Sequence, residues 1–184
     1  FWFRGTADAV YQNLELISDQ QPEQICVFGG DHIYKMDVNQ MMQVHLDTDA
    51  DLTIATIPVP LSEAHHFGIV EIDEDFRVTG FVEKPKEGAK TIPGRPDMVL
   101  ASMGNYIFKS RVMTEVLERN ALRDAAHDFG KEIIPIMYPT MKVIAYDFAT
   151  NVIPGEEEYN QGYWRDVGTL DSYFAASMDL IEIT

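Results

Sequence analysis

The sequence has one cysteine, few basic residues and no long apolar run, and each shortage excludes a class of protein. The single cysteine, Cys26, excludes a disulfide within the chain, which is typical of proteins in the reducing cytoplasm. Because Cys26 lies in an apolar run, we expect it to be a small buried side chain. No apolar run approaches the roughly 20 residues that cross a bilayer. We therefore expect a soluble cytoplasmic protein without a membrane segment.

Basic residues are outnumbered: 14 Lys and Arg stand against 30 Asp and Glu, for a net charge of −16. A broad basic surface for nucleic acid is therefore excluded. A polyanionic substrate would need locally placed cations or a divalent metal ion to offset the overall field. Most of the acidic excess is expected to be solvated surface, and the run Glu156-Glu157-Glu158 is expected to be an exposed loop.

The order of apolar segments predicts an α/β fold. A strand at 24–28, a helix at 37–47 and the strand "DLTIATIPV" are typical of a βαβ unit with a parallel sheet. "GIVEID" and "VTGFVEK" are two short strands that predict an antiparallel excursion. With 184 residues, the chain fits one domain. Two helix caps are also predicted, at Thr6 and Ser110.

A candidate ligand site follows the first strand. The apolar run ends at Gly29-Gly30, and Asp31 comes next. Ligands in open α/β sheets bind beyond the carboxyl ends of strands, and glycines allow a close approach. Asp31 therefore stands where a metal ion or a phosphate could bind. The alternative is that Gly-Gly-Asp only makes a turn.

Asp166 of "YWRDVGT" is a possible partner of Asp31. Two carboxylates from distant parts of a chain can share a magnesium ion that bridges phosphate oxygens. The alternative is an ion pair between Asp166 and a cation such as Arg165. Spacing alone leaves both interpretations open.

The segment "FVEKP" places a carboxylate and an ammonium group side by side at the end of a strand. Glu83 could accept sugar hydroxyls while Lys84 binds a phosphate. The alternative is an exposed Glu and Lys at a strand exit. His65 and His66 have no ligand partner at helical spacing, so we interpret them as a loop feature.

Together, these motifs resemble those of the bacterial ADP-glucose pyrophosphorylase family, the glucose-1-phosphate adenylyltransferases. The resemblance covers nearly the whole chain, in order, through "FRGTADAVYQNL", "FGGDHIYKMD", "PVP", "FGIVEID", "FVEKP", "LASMGNYIF", "HDFGKEIIP" and "YWRDVGTLDSY". The forms "RGTADAV", "HDFGK" and "YWRDVGT" resemble the ADP-glucose branch in particular.

The resemblance implies a Rossmann-like nucleotidyltransferase fold, with a mostly parallel central sheet flanked by helices and a small antiparallel excursion. It implies transfer of a nucleotidyl group from ATP to glucose 1-phosphate with Mg²⁺, giving ADP-glucose and pyrophosphate for glycogen synthesis. It also implies a homotetramer. Two alternatives stay open: a pyrophosphorylase using another nucleotide or sugar phosphate, and a non-catalytic regulatory or assembly subunit of the same fold.

The same resemblance implies roles for individual residues. The catalytic set is Asp31, Lys84 and Asp166, and the metal ligands are Asp31 and Asp166. The sugar-phosphate contacts are Glu83 and Lys84. The glucose pocket comprises Ser102, Gly104, Asp128 and Trp164, with Gly68 allowing close approach to the hexose. The adenine and ribose meet the turn formed by Gly5, Thr6 and Ala7.

Two parts of the family pattern have no counterpart in this sequence: the N-terminal glycine-rich phosphate loop and the C-terminal β-helix domain. The chain begins at Phe1 without an initiator Met and stops at Thr184 directly after a helical pattern. We therefore expect residues 1–184 to be a fragment of a catalytic domain that is inactive by itself.

Overall fold

The structure is a computed structural model that describes residues 2–155 and 162–182. The predicted loop at Glu156-Glu157-Glu158 lies outside these residues. The α-helices are α1 Thr6–Tyr11, α2 Leu14–Ser18, α3 Val38–Asp47, α4 Ser110–Ala121, α5 Ile134–Met137 and α6 Leu170–Glu182. The strands are β1 Gln24–Val27, β2 His32–Tyr34, β3 Leu52–Pro60, β4 Gly68–Ile72, β5 Val78–Glu83, β6 Met98–Lys109, β7 Val143–Asp147 and β8 Trp164–Asp166.

Six of the described strands form the central sheet, in which the long strand β6 pairs with three others. The order is β5-β4-β6-β3-β7, and β1 also pairs with β6. Strand β3 runs along one edge of β6, while β4 and β1 share the other edge. On that shared edge, β6 pairs with β4 at Leu100 and Ala101 and with β1 from Tyr106 onward. This leaves a gap opposite residues 102–105, and the gap fixes the position of the site.

The α/β class with flanking helices is confirmed, but the sheet is mixed and not mostly parallel. Strands β1, β3 and β7 run in one direction, yet only β3 and β7 pair as parallel neighbours among the described strands. The antiparallel strand β6 lies between β1 and β3. The two strands of the predicted βαβ unit are therefore not neighbours in the sheet. The apolar runs identify buried strands but carry no information about which strand is the neighbour.

Helices cover both faces of the sheet. Ile54 and Ala55 are consecutive residues of β3 and therefore point to opposite faces. Ile54 belongs to the cluster that includes Met113 of α4, and Ala55 to the cluster that includes Met41 of α3. The sheet core is thus buried between α3 on one side and α4 on the other.

The predicted helix at 37–47 is confirmed, and its cap is Asp37. The Asp37 carboxylate accepts a hydrogen bond from the Asn39 amide at 3.0 Å, as expected of an N-cap. The predicted caps at Thr6 and Ser110 are wrong, because each is the first helical residue and neither helix has a side-chain cap. The Thr6 hydroxyl instead donates to Asp128 Oδ2 at 3.1 Å.

Cys26 and helix α6 both expose apolar surface, and for Cys26 the expectation of a buried side chain is wrong. Cys26 is exposed because successive side chains of a strand point to opposite faces, and the buried face of β1 is the one that carries Ile25. Helix α6 begins at Leu170, and the Leu170 and Phe174 side chains on it are 87% and 66% exposed. None of the described helices is both long and apolar enough to span a membrane.

Candidate active site

A cavity of about 460 Å³ lies at the gap along the edge of β6. Its size is within the range of small-molecule sites. Ten of the predicted site residues line it: Thr6, Asp31, Gly68, Glu83, Lys84, Ser102, Gly104, Asp128, Trp164 and Asp166. Residues more than 150 positions apart in the sequence therefore meet in one concave surface.

Two predicted contacts do not line this cavity. Gly5 packs so closely against the Ala126 and His127 carbonyl oxygens that a Cβ atom would collide with them. Ala7 is buried, and its amide donates to the His127 carbonyl at 2.8 Å. Within the predicted nucleotide-binding turn, Thr6 lines the cavity. Gly5 and Ala7 do not line it and instead fix the position of the turn.

The two predicted metal ligands converge through a small antiparallel ribbon. Strand β2 pairs with β8 so that His32 stands opposite Asp166, and Asp31 directly precedes β2. Ligand atoms of Asp31, His32 and Asp166 all lie within 4.8 Å of one another. We call these three residues the Asp31–His32–Asp166 cluster. Their exposed carboxylates suit a divalent cation, which prefers oxygen ligands.

The alternative interpretation of Asp166 as the ion-pair partner of Arg165 does not hold. Arg165 Nε donates to Asp179 Oδ2 of α6 at 3.0 Å. Asp166 Oδ1 accepts the Gly168 amide at 2.9 Å, which holds the carboxylate within its own turn. Asp166 is therefore free of Arg165 and directed to the cluster.

Glu83 occupies a part of the cavity that two glycines keep open. A Cβ atom on Gly68 or on Gly130 would lie 2.9 Å from Glu83 Oε2. Burial raises the pKa of Glu83, and the Asp128 carboxylate raises it further, while Lys84 and Lys131 oppose the shift. A half-buried carboxylate in a glycine-lined niche can accept hydrogen bonds from a ligand that approaches closely.

Lys84 directly follows β5 in an unusual backbone conformation. Its φ of 46° lies in the left-handed region, which non-glycine residues seldom adopt. The Lys84 amide donates to the Phe67 carbonyl at 3.0 Å, and the following Pro85 is buried. The tertiary structure thus holds a strained residue at the cavity, as often happens at functional sites.

Several residues that line the cavity were not predicted from the sequence as site residues. Tyr106 lines it, and burial raises the Tyr106 pKa to about 12, so its phenol stays a hydrogen-bond donor. His32 and Gly130 lie inside quoted motifs, but their neighbours across the cavity come from distant segments.

Trp164, a predicted residue of the glucose pocket, has a free donor. Its Nε1 atom is buried without a partner among the described residues, so it is available to a ligand.

A hydrogen-bonded loop at 126–132 borders the cavity. Glu132 accepts hydrogen bonds from the Ala126 amide at 2.6 Å, the His127 amide at 3.1 Å and Asn120 Nδ2 at 2.8 Å. The same loop carries Asp128, which receives the Thr6 hydroxyl. Burial alone would raise the pKa of Glu132, but these hydrogen bonds outweigh it and lower the pKa.

We expect Glu132→Gln to destabilise the domain by about 1–3 kcal/mol at neutral pH, because hydrogen bonds to a charged group are lost or weakened. Since the folded-state pKa is lowered, this stabilisation is present above the unfolded pKa of about 4.3 and is lost as the pH falls below it. Chemical denaturation of both proteins in steps from pH 7 to pH 3 measures the difference in the free energy of unfolding across this range.

The control for this prediction is Glu115→Gln. Glu115 forms an exposed ion pair with Arg119 at 2.7 Å, a type of contact that contributes little. A loss in Glu132→Gln no larger than in this control, or one independent of pH, would contradict the role of Glu132.

Comparison with known proteins extends over almost the whole chain. The sequence pattern of the nucleotidyl transferase family matches residues 3–183. A glucose-1-phosphate adenylyltransferase of Anaeromyxobacter sp. (strain Fw109-5) is 55% identical over 99% of this chain and 44% of its own length. Those of Thermus thermophilus and Photobacterium profundum are 55% and 54% identical, again over 44% of their length.

The chain thus spans less than half the length of the curated relatives that it matches. The matched region includes the Asp31–His32–Asp166 cluster, Lys84 and the cavity between them. Sequence pattern and fold agree, and the chain belongs to the nucleotidyl transferase family.

Proposed function

We propose that this chain is part of the catalytic domain of a glucose-1-phosphate adenylyltransferase, which forms ADP-glucose and pyrophosphate from ATP and glucose 1-phosphate for glycogen synthesis. The observation that carries the proposal is the convergence of Asp31 and Asp166 on a cavity that also holds Glu83 and Lys84. The names of the relatives, at about 55% identity, favour adenylyl transfer to glucose 1-phosphate.

The reaction requires positioning and charge neutralisation more than covalent chemistry by the protein. A phosphate oxygen of glucose 1-phosphate forms a bond to the α-phosphorus of ATP, and the bond from that phosphorus to the bridging oxygen of pyrophosphate breaks. Asp31 and Asp166 would hold Mg²⁺, which supplies neutralisation of phosphate charge when it is bound. The Lys84 ammonium group would bind the phosphate of the sugar.

The remaining polar groups suit the sugar and the nucleotide. Glu83, in its glycine-lined niche, can accept hexose hydroxyls, and Trp164 Nε1 can donate to one. Ser102 and Asp128 line the same cavity, where Gly104 and Gly68 allow a close approach. Thr6 reaches the cavity from the turn that we assign to adenine and ribose.

We further propose that residues 1–184 are a catalytic-domain fragment, which lacks the glycine-rich phosphate loop and the β-helix domain of the family. The net charge of −16 opposes a triphosphate, so binding depends on focused cations that this loop would supply. A cytoplasmic location and a homotetrameric full-length protein remain predictions from the resemblance. The presence of Asp31, Lys84 and Asp166 argues against a non-catalytic subunit.

The test compares nucleotides with the full-length protein. Pyrophosphate release should be fastest with ATP, and much slower with UTP, dTTP or GTP, at saturating glucose 1-phosphate and Mg²⁺. A preference for another nucleotide would indicate a related pyrophosphorylase, and no turnover with any of them would favour the non-catalytic alternative.

The second arm of this test is the chain of residues 1–184 made alone. We expect it to release pyrophosphate at the background rate, because one lost preorganised donor already costs about 3–4 kcal/mol of transition-state stabilisation and the loop provides several. Activity approaching that of the full-length protein would show that the phosphate loop is not required.

A further inference from the structure

His32 is the most enclosed member of the Asp31–His32–Asp166 cluster. Its side chain is 16% exposed, whereas that of Asp31 is 73% exposed. Because His32 stands directly opposite Asp166 in the ladder, the two side chains project from the same face of the ribbon. The His32 ring also contacts the Trp164 ring, with centroids 5.4 Å apart. Strand pairing and packing therefore orient the imidazole.

Two glycines from separate segments leave room for this ring. A Cβ atom on Gly29 would lie 3.0 Å from His32 Nδ1, and one on Gly104 would lie 3.1 Å from His32 Cε1. Both distances are shorter than ordinary contacts, so any side chain at either glycine would displace the imidazole. Nδ1 is buried against Gly29 and has no partner among the described residues. Nε2 is therefore the nitrogen that can reach a ligand.

The position of Nε2 leaves space for an ion between it and the carboxylates. His32 Nε2 lies 3.6 Å from Asp31 Oδ1, which is too long for a hydrogen bond. Metal–ligand distances of about 2.1 Å place neighbouring donor atoms about 3 Å apart and opposite ones about 4.2 Å apart. The donor atoms of the three residues all lie within 4.8 Å of one another, which is close to the spacing that one shared ion requires.

We propose that His32, through Nε2, is a third protein ligand of the divalent cation held by Asp31 and Asp166. This inference rests on the metal site of the proposed function. A pair of carboxylates favours Mg²⁺, whereas an imidazole nitrogen raises affinity for later first-row metal ions. The site therefore binds Co²⁺ more tightly, relative to Mg²⁺, than two aspartates alone would.

The direct test uses Mn²⁺ as the probe and the full-length protein. Pulsed electron paramagnetic resonance detects the ¹⁴N nucleus of an imidazole bound to Mn²⁺. We expect this nitrogen coupling in the wild-type protein and its loss in His32→Gln. The matched control is His65→Gln, because His65 is exposed and lies outside the cavity. The control should keep the wild-type coupling.

Calorimetric titration provides a second readout. His32→Gln should weaken Co²⁺ binding by at least about tenfold and change Mg²⁺ binding much less. If thermal unfolding shows that His32→Gln is destabilised, His32→Asn serves as the replacement. Absence of nitrogen coupling in the wild-type protein, its persistence without His32, or an equal loss of affinity for both ions would each overturn the inference.

The two readouts do not depend on turnover. A protein that forms ADP-glucose but shows no nitrogen coupling would overturn the role of His32 and leave the proposed function in place. A protein that shows the coupling but forms no ADP-glucose would do the reverse.

Discussion

Replacement of Asp31 by asparagine should lower kcat of the full-length protein by roughly a thousandfold or more at saturating Mg²⁺. The amide has the same size as the carboxylate but no charge, so it weakens cation binding without opening a cavity. Because the Asp31 side chain is 73% exposed, the fold should be unaffected. Steady-state pyrophosphate release at increasing Mg²⁺, with thermal unfolding as a check on the fold, measures both effects.

The same experiment extends to Asp166. Asp166→Asn should behave like Asp31→Asn, and the double variant should lose much less than the product of the two single effects, because both carboxylates serve one ion. Asp75→Asn is the matched control, since Asp75 lies in an exposed turn outside the cavity. Near-normal activity of Asp31→Asn, or multiplicative effects in the double variant, would remove the pair from a shared metal site.

Replacement of Lys84 by alanine should raise KM for glucose 1-phosphate by roughly tenfold to a hundredfold, since a hydrogen bond between two charged groups is lost. KM for ATP should hardly change if Lys84 binds only the phosphate of the sugar. Initial rates with one substrate varied and the other saturating separate the two constants.

Lys86→Ala is the matched control for this prediction. Lys86 is an exposed lysine two residues further on and does not line the cavity. Neither constant should change in this control. An equal rise of both constants in Lys84→Ala would show that Lys84 does not act on glucose 1-phosphate selectively.

Features that depend on residues close together in the sequence were predictable. Features that depend on contacts between distant segments were not. The helix capped by Asp37 and the antiparallel pair β4 and β5 follow local patterns, and both are confirmed. The place of β6 between β1 and β3 depends on pairing of residues that lie 38 to 85 positions apart in the sequence. Apolar periodicity carries no information about such pairing.

The candidate site shows the same division. The spacing of Asp31 and Asp166 left two interpretations open, and the ribbon of β2 and β8 brings the residues together. His32 was invisible as a ligand because its partner Asp166 is 134 positions away and the glycine beside its ring, Gly104, is 72 positions away. Thr6 resembled a helix cap, but its hydroxyl bonds to Asp128 across the molecule.

The left-handed backbone at Lys84 means that stability and the proposed activity favour different residues at this position. Glycine or asparagine fits a φ of 46° better than lysine does, and the strain of a bulkier residue is about 1–2 kcal/mol. Selection for heat resistance alone would therefore replace Lys84 by glycine and remove the proposed phosphate contact. Variants enriched only for thermal tolerance should accumulate changes at this position, whereas those also required to turn over substrate should keep the lysine.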